Sequence, residues 1–193
     1  MHPPTNTKVI TLALAALAAQ AATEPSRADT PSASMSFSVT GNAVPVCLLG
    51  AMSPGGGAAN ATYSTNQISL TQFIDPSSAL VNASTMTLQT SNAMCNYNAY
   101  VTLTSQNGGL TSSNASGVVS GTFLTSVPYT VTAQWGSLNV TLDTTNSNKK
   151  VQVPVGGANV GPLSLTFATQ KSSTPVVQGN YQDTVTLTIG AAI

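Results

Sequence analysis

Short runs along this chain alternate apolar and polar residues with a period of two. The first is MSFSV at 35–39. ISL at 68–70 and MTL at 86–88 come next, then YVTLT at 100–104 and YTVTA at 129–133. LSLTF at 163–167 and VTLTI at 185–189 complete the set. A period of two sends successive side chains to opposite faces of a strand. The Leu, Val, Ile and Phe positions therefore predict a face turned to a core. The threonines predict a face turned to water, and they suit a pleated backbone. Clusters of Gly, Pro, Asn and Ser separate the runs and supply turns. Residues 106–109 contain Asn107-Gly108, the strongest short hairpin signal. The polar run 146–149 lies between Leu142 and Val151 and reads as a hairpin loop, with Lys149 and Lys150 solvated in it. The Pro54-Gly55-Gly56-Gly57 stretch reads as a flexible loop.

Helical periodicity is absent beyond the first 28 residues. The pattern predicts an all-β chain forming an antiparallel, immunoglobulin-like β-sandwich, with a closed barrel as the alternative. The first 28 residues read as a secretory signal. Lys8 supplies the positive charge, and residues 9–22 form an apolar stretch shorter than the roughly 20 residues that span a bilayer. Small residues at the −3 and −1 positions mark cleavage after Ala21 or after Ala28. The polar stretch from Thr23 favours Ala28. An uncleaved anchor is the competing reading. The remaining residues, about 165, suit one domain. The expected organisation is a signal at 1–28, an N-terminal extension at 29–46 and one sandwich at 47–193.

Export predicts an oxidising compartment, reached through the periplasm. Cys47 and Cys95 are the only cysteines, so one intrachain disulfide is expected there. A two-thiol metal site is the alternative, and it lacks both a histidine and a CxxC spacing.

Charge narrows the chemistry further. The single histidine, His2, falls in the signal. Beyond Ala28 only Asp29, Asp75, Asp143, Asp183, Lys149, Lys150 and Lys171 are charged, a net charge of −1. A nucleophile–base pair built on histidine is therefore missing. Asp75, Asp143 and Asp183 stand beside turn residues, where aspartate commonly makes local hydrogen bonds. No catalytic residue, cofactor or metal is expected. Near-neutral charge disfavours nucleic acid as a partner.

The ending Gly179-Asn-Tyr181-Gln-Asp183-Thr-Val185-Thr-Leu-Thr-Ile189 resembles the close of the spore coat protein U family, with Gly, Tyr and Asp at alternate positions before an alternating strand. The earlier order is similar. A strand led by Phe37 and Val39 runs into Cys47, and Cys95 precedes the 100–104 strand and the turn at 107–110. That family includes subunits of archaic chaperone–usher pili. The resemblance implies an incomplete sandwich, lent a strand first by a periplasmic chaperone at an outer-membrane usher and then by the N-terminal segment of the next subunit. It implies a structural subunit of a pilus or coat on the cell surface, with a role in adhesion or biofilm formation. Neighbouring copies of the chain would be its main partners.

On this reading Met35, Phe37 and Val39 form one face of a donor strand. Residues 35–39 are equally readable as the first strand of the chain's own sandwich. Val185, Leu187 and Ile189 are expected on a terminal strand bordering the acceptor groove. Tyr181 is expected to cover the end of the core and bond a backbone group, and Asp183 to cap the turn before the strand. Trp135 is expected in the core, with sugar stacking as the alternative role. The competing functions are a self-complete secreted adhesin or lectin-like module, and a coat or matrix protein assembled without an usher. An ice-binding surface would need a regular repeat, and none is visible.

Overall fold

The computed structural model describes residues 33–113 and 121–192. The signal segment and both cleavage positions lie outside them. Contacts divide the chain at Gly41, with a body running from Asn42 onward. No helix of the described residues is long and apolar enough to cross a membrane.

The strands in chain order are β1 (Cys47–Leu49), β2 (Ser53–Ala59), β3 (Ala61–Ser64), β4 (Gln67–Leu70) and β5 (Ser84–Cys95). Then come β6 (Tyr100–Ser105), β7 (Leu110–Ser112), β8 (Ser126–Val127), β9 (Tyr129–Trp135) and β10 (Leu138–Asp143). The last four are β11 (Lys150–Pro154), β12 (Asn159–Thr169), β13 (Tyr181–Gln182) and β14 (Val185–Gly190).

One sheet holds β5, β12, β9 and β10 in that order. β1 and then β2 run along the outer side of β5. A second sheet has the order β11-β6-β14. Every pairing in both is antiparallel. Inward residues of the two sheets meet in one core, which joins Val131, Trp135, Leu142, Leu163 and Phe167 to Val101 and Leu103. Two sheets facing across a shared apolar layer make a sandwich. The separate sheets rule out the closed barrel.

The alternation sorts as its period requires. Leu165 lies opposite Leu88 and Ala133, with Phe167 opposite Met86 and Val131. On the other face Thr87, Thr166, Thr132 and Thr141 line up across four strands. Their hydroxyls bond in pairs, at 3.1 Å for Thr87 and Thr166 and 3.0 Å for Thr132 and Thr141. Such cross-strand pairs stabilise a sheet by roughly 0.2–1 kcal/mol each.

Three turn readings need correction. The run at 54–57 is not a loop but part of β2, which follows β5 with two breaks in register. Small side chains let this strand bend along its neighbour, and Gly56 takes φ +93°. Residues 144–149 do not close a hairpin. They carry the chain from β10 in one sheet to β11 in the other, and Lys150 already belongs to β11. Asn107-Gly108 also fails to make a hairpin, because β6 and β7 do not pair. Gly108 is needed there for another reason. It has φ +77°, and a Cβ would lie 2.7 Å from the Ser147 carbonyl oxygen. Gly108→Ala is expected to cost about 1–2 kcal/mol, read as a lower urea midpoint with unchanged slope.

The run at 35–39 forms no strand. It is therefore not the first strand of the chain's own sandwich.

Candidate functional site: an open sheet edge

β14 hydrogen-bonds to β6 along one side, from Val185 opposite Ser105 to Gly190 opposite Tyr100. Among the described residues no strand lies along its other side. That side presents a row of unpaired backbone groups, a template for another extended chain. The side chains agree. Val101 and Leu103 on β6 are fully buried, while their partners Ile189 and Leu187 on β14 are only half-buried, as is Val185. All three pack against the main core. The apolar floor therefore continues to an edge where its cover ends.

On that side the other sheet's edge is made of β1 and β2, and β1 comes close to β14 without pairing with it. The edge breaks between β1 and β2 at Gly50, whose N–H donates to the Asn92 carbonyl at 2.7 Å. Leu49, at the end of β1, is exposed. Met52, Ile68 and Leu70 are half-buried against the same core. The hairpin of β3 and β4 that carries Ile68 and Leu70 pairs with no other strand.

The proposed donor residues stand out in the opposite sense. Met35, Phe37 and Val39 are 90, 84 and 82% exposed. Large apolar side chains that exposed, on alternate positions of one segment, have no partner among the described residues.

The root of that segment is firmly held. The Cys47–Cys95 disulfide is formed, with the two Cα atoms 4.1 Å apart, and it ties β1 to β5. Asn96 extends the attachment by one step. Its side-chain oxygen accepts from the Val46 N–H at 2.7 Å, and its amide donates to the Val44 carbonyl at 2.8 Å. The backbone N–H of Asn96 donates to the Val46 carbonyl at 3.0 Å. One side chain thus substitutes for two rungs of a strand ladder. Nothing in the sequence spacing marked Asn96 for this task.

Asp183 does more than cap a turn. Its carboxylate accepts from the Ser105 hydroxyl at 2.5 Å and the Tyr129 hydroxyl at 2.7 Å. It also accepts from the backbone N–H groups of Asn107, Gly109 and Thr184, at 2.9, 3.2 and 2.7 Å. The start of β14, the turn after β6 and the start of β9 converge on this one group. Partial burial works to raise its pKa. The hydrogen bonds from Ser105, Tyr129, Asn107 and Gly109 outweigh that and hold it below the usual carboxylate range. Burial pushes the Tyr129 phenol upward, and the neighbouring Asp183 charge adds to the shift, so Tyr129 stays a donor. Tyr181 bonds backbone groups as expected, but it packs on the satellite cluster of Val81, Val127 and Val176 and not on the end of the main core. Its hydroxyl lies 2.9 Å from the Val177 carbonyl and 3.1 Å from the Leu124 carbonyl, and its ring packs on Phe73 with centroids 5.3 Å apart.

The other candidate groups have local tasks. Asp75 accepts from the hydroxyl and N–H of Ser77, and Asp143 does the same with Thr145. These bonds hold both carboxyls below their ordinary pKa. Trp135 is 1% exposed, in the core as expected. Its indole N–H has no hydrogen-bond partner among the described residues. No cluster of three or more His, Cys, Asp or Glu able to hold a metal occurs among those residues.

No family model, curated protein or solved structure matches this chain.

Proposed function

We propose that this chain is a structural subunit of an extracellular pilus or coat, polymerised by exchange of its N-terminal strand. The observation that carries the reading is a complementarity within one chain. Among the described residues β14 has an unpartnered edge over half-buried Val185, Leu187 and Ile189, while Met35, Phe37 and Val39 lie exposed on alternate positions. Residues i, i+2 and i+4 of any strand span about 13 Å, so the two triplets match in length. Inserting the donor strand of one copy beside β14 of the next would pair the open backbone edge and cover the apolar floor. Burying Met, Phe and Val side chains contributes roughly 1.5–3 kcal/mol each, before any backbone hydrogen bond is counted. Left unfilled, such an edge is an aggregation site. A chaperone strand that occupies it before assembly answers that hazard, which makes a periplasmic chaperone and an outer-membrane usher the fitting partners. The resemblance to spore coat protein U proteins supports the same reading, with adhesion or biofilm formation as the role.

The test is electrophoresis of cell-released native protein in SDS, with and without boiling. Wild type is expected to give a ladder that collapses to monomer only on boiling. Met35→Asn/Phe37→Asn/Val39→Asn is expected to run as monomer in both lanes, because its strand would carry amides into the apolar floor. A ladder that survives this triple substitution, or a wild-type monomer in both lanes, sinks the proposal.

A further inference from the structure

Every charged residue described in the sandwich lies toward one end of it. The chain leaves β5 for β6 through residues 96–99, at the end that carries the disulfide. The turn 136–137 and the segment 155–158 lie at that same end, and so does Gly190, opposite Tyr100. None of these stretches contains a charge. Asp75, Asp143, Lys149, Lys150, Lys171 and Asp183 all fall in segments, or at strand termini, belonging to the opposite end.

Exposed apolar residues occur at both ends. At the disulfide end, Leu48 lies directly opposite Met94, and Met94 directly opposite Val160. Directly opposed residues share a face, so these three form a continuous row across three strands, about 10 Å wide. Leu48 is 57% exposed and Val160 72%. At the opposite end, Ile74 and Phe123 are 40 and 43% exposed. They flank the small satellite core of Val81, Val127 and Val176, where Phe73 and Leu124 pack.

We infer that these two patches meet between successive copies, so that the uncharged disulfide end of one copy docks on the Ile74 and Phe123 end of the next. The inference rests on strand exchange and adds a second contact to it. The short reach of the donor segment brings the two ends together. Val44 is fixed to the body by Asn96. Four residues, Thr40, Gly41, Asn42 and Ala43, separate it from Val39, and the five Cα-to-Cα steps span at most about 18 Å when fully extended. A copy that holds Val39 beside its β14 therefore lies within that distance of the first copy's Val44. Antiparallel insertion, the more stable pairing, sets Val39 at the Val185 end of the accepting strand. That is the end bearing Asp183, Ile74 and Phe123. The contact is head-to-tail, the kind that propagates an open filament rather than a closed ring. The disulfide end brings no charge to be desolvated there.

Hydroxyl-radical footprinting of the wild-type polymer, against its own monomer fraction from size exclusion, reads both layers at once. Labelling of Met35 and Phe37 reports strand exchange. Labelling of Leu48, Met94 and Val160, and of Ile74 and Phe123, reports the docked ends. All seven are expected to label at least about threefold more slowly in the polymer, as residues do when an interface core excludes water. Protection of Met35 and Phe37 with monomer-like labelling of either patch overturns the docked ends and leaves strand exchange standing. Monomer-like labelling of Met35 and Phe37 in the polymer overturns strand exchange, and this inference falls with it.

Discussion

Replacing Cys47 and Cys95 with serine is expected to lower the unfolding free energy by about 4 kcal/mol. The two cysteines lie 48 residues apart, and the bridge is the only one in the molecule. In the chain-entropy account, a ring of that size removes several kcal/mol of freedom from the unfolded chain. Local structure points the same way. β1 has three residues and one partner strand, at the sheet's outer edge. Without the bridge, its attachment reduces to that short ladder and the bonds through Asn96. Cys95 is also 1% exposed, so a serine hydroxyl there would need a partner in an apolar setting. Urea unfolding at neutral pH measures the difference. A loss below about 1 kcal/mol would mean that the large sheet holds β1 unaided. Under the proposed strand exchange, the double variant should also weaken fibres under load, since the bridge joins the root of the N-terminal segment to β5.

Much of this fold could be read from alternation alone. Six of the seven runs that alternate became strands with the expected inward face, because burial of one sheet face enforces a period of two. The exception, 35–39, alternates as cleanly as the rest and forms no strand here. Alternation predicts a strand that wants a partner, and it is silent on whether the partner lies in the same chain. The long strands β5 and β12 outran their apolar cores because sheet pairing carries Asn, Ser and Gly residues along with it. β2 was hidden for the opposite reason, since glycines give no side-chain pattern. The Asn107-Gly108 signal located a sharp turn correctly but not its topology. A β-hairpin and a change of sheet ask for the same positive φ, and only distant partners distinguish them. Those partners include Asp183, whose donors at Ser105, Asn107, Gly109 and Tyr129 stand 54 to 78 residues away. No spacing rule could have assembled that group.

Asp183→Asn is expected to destabilise the protein by about 2 kcal/mol at neutral pH, and the deficit should shrink in acid. An amide keeps one acceptor oxygen, yet it turns an NH2 group toward hydroxyls and backbone N–H groups that all donate. Five hydrogen bonds to a charged acceptor would suggest a larger loss. Asp183 is only half-buried, and solvent can replace part of what is removed, which sets the lower figure. The pH dependence follows from the direction of its shift. A carboxyl held below its unfolded pKa stabilises the fold fully above that unfolded value, near 3.9, and loses the contribution as pH falls through the folded value. Asp75 and Asp143 are also held low, but they remain in both proteins and cancel in the difference. Wild type and variant should therefore differ most from about pH 5 upward, and in parallel urea titrations the gap should narrow progressively below about pH 4, as pH falls toward the folded value. A gap that stays constant across that range would show that Asp183 acts by shape rather than charge. The proposed assembly would feel the change as well. Asp183 stands two residues before Val185 and ties the start of β14 to Ser105 and Tyr129. If copies assemble by strand exchange as proposed, a loosened β14 offers a less regular edge to an incoming strand, and the variant should polymerise more slowly even where it remains folded.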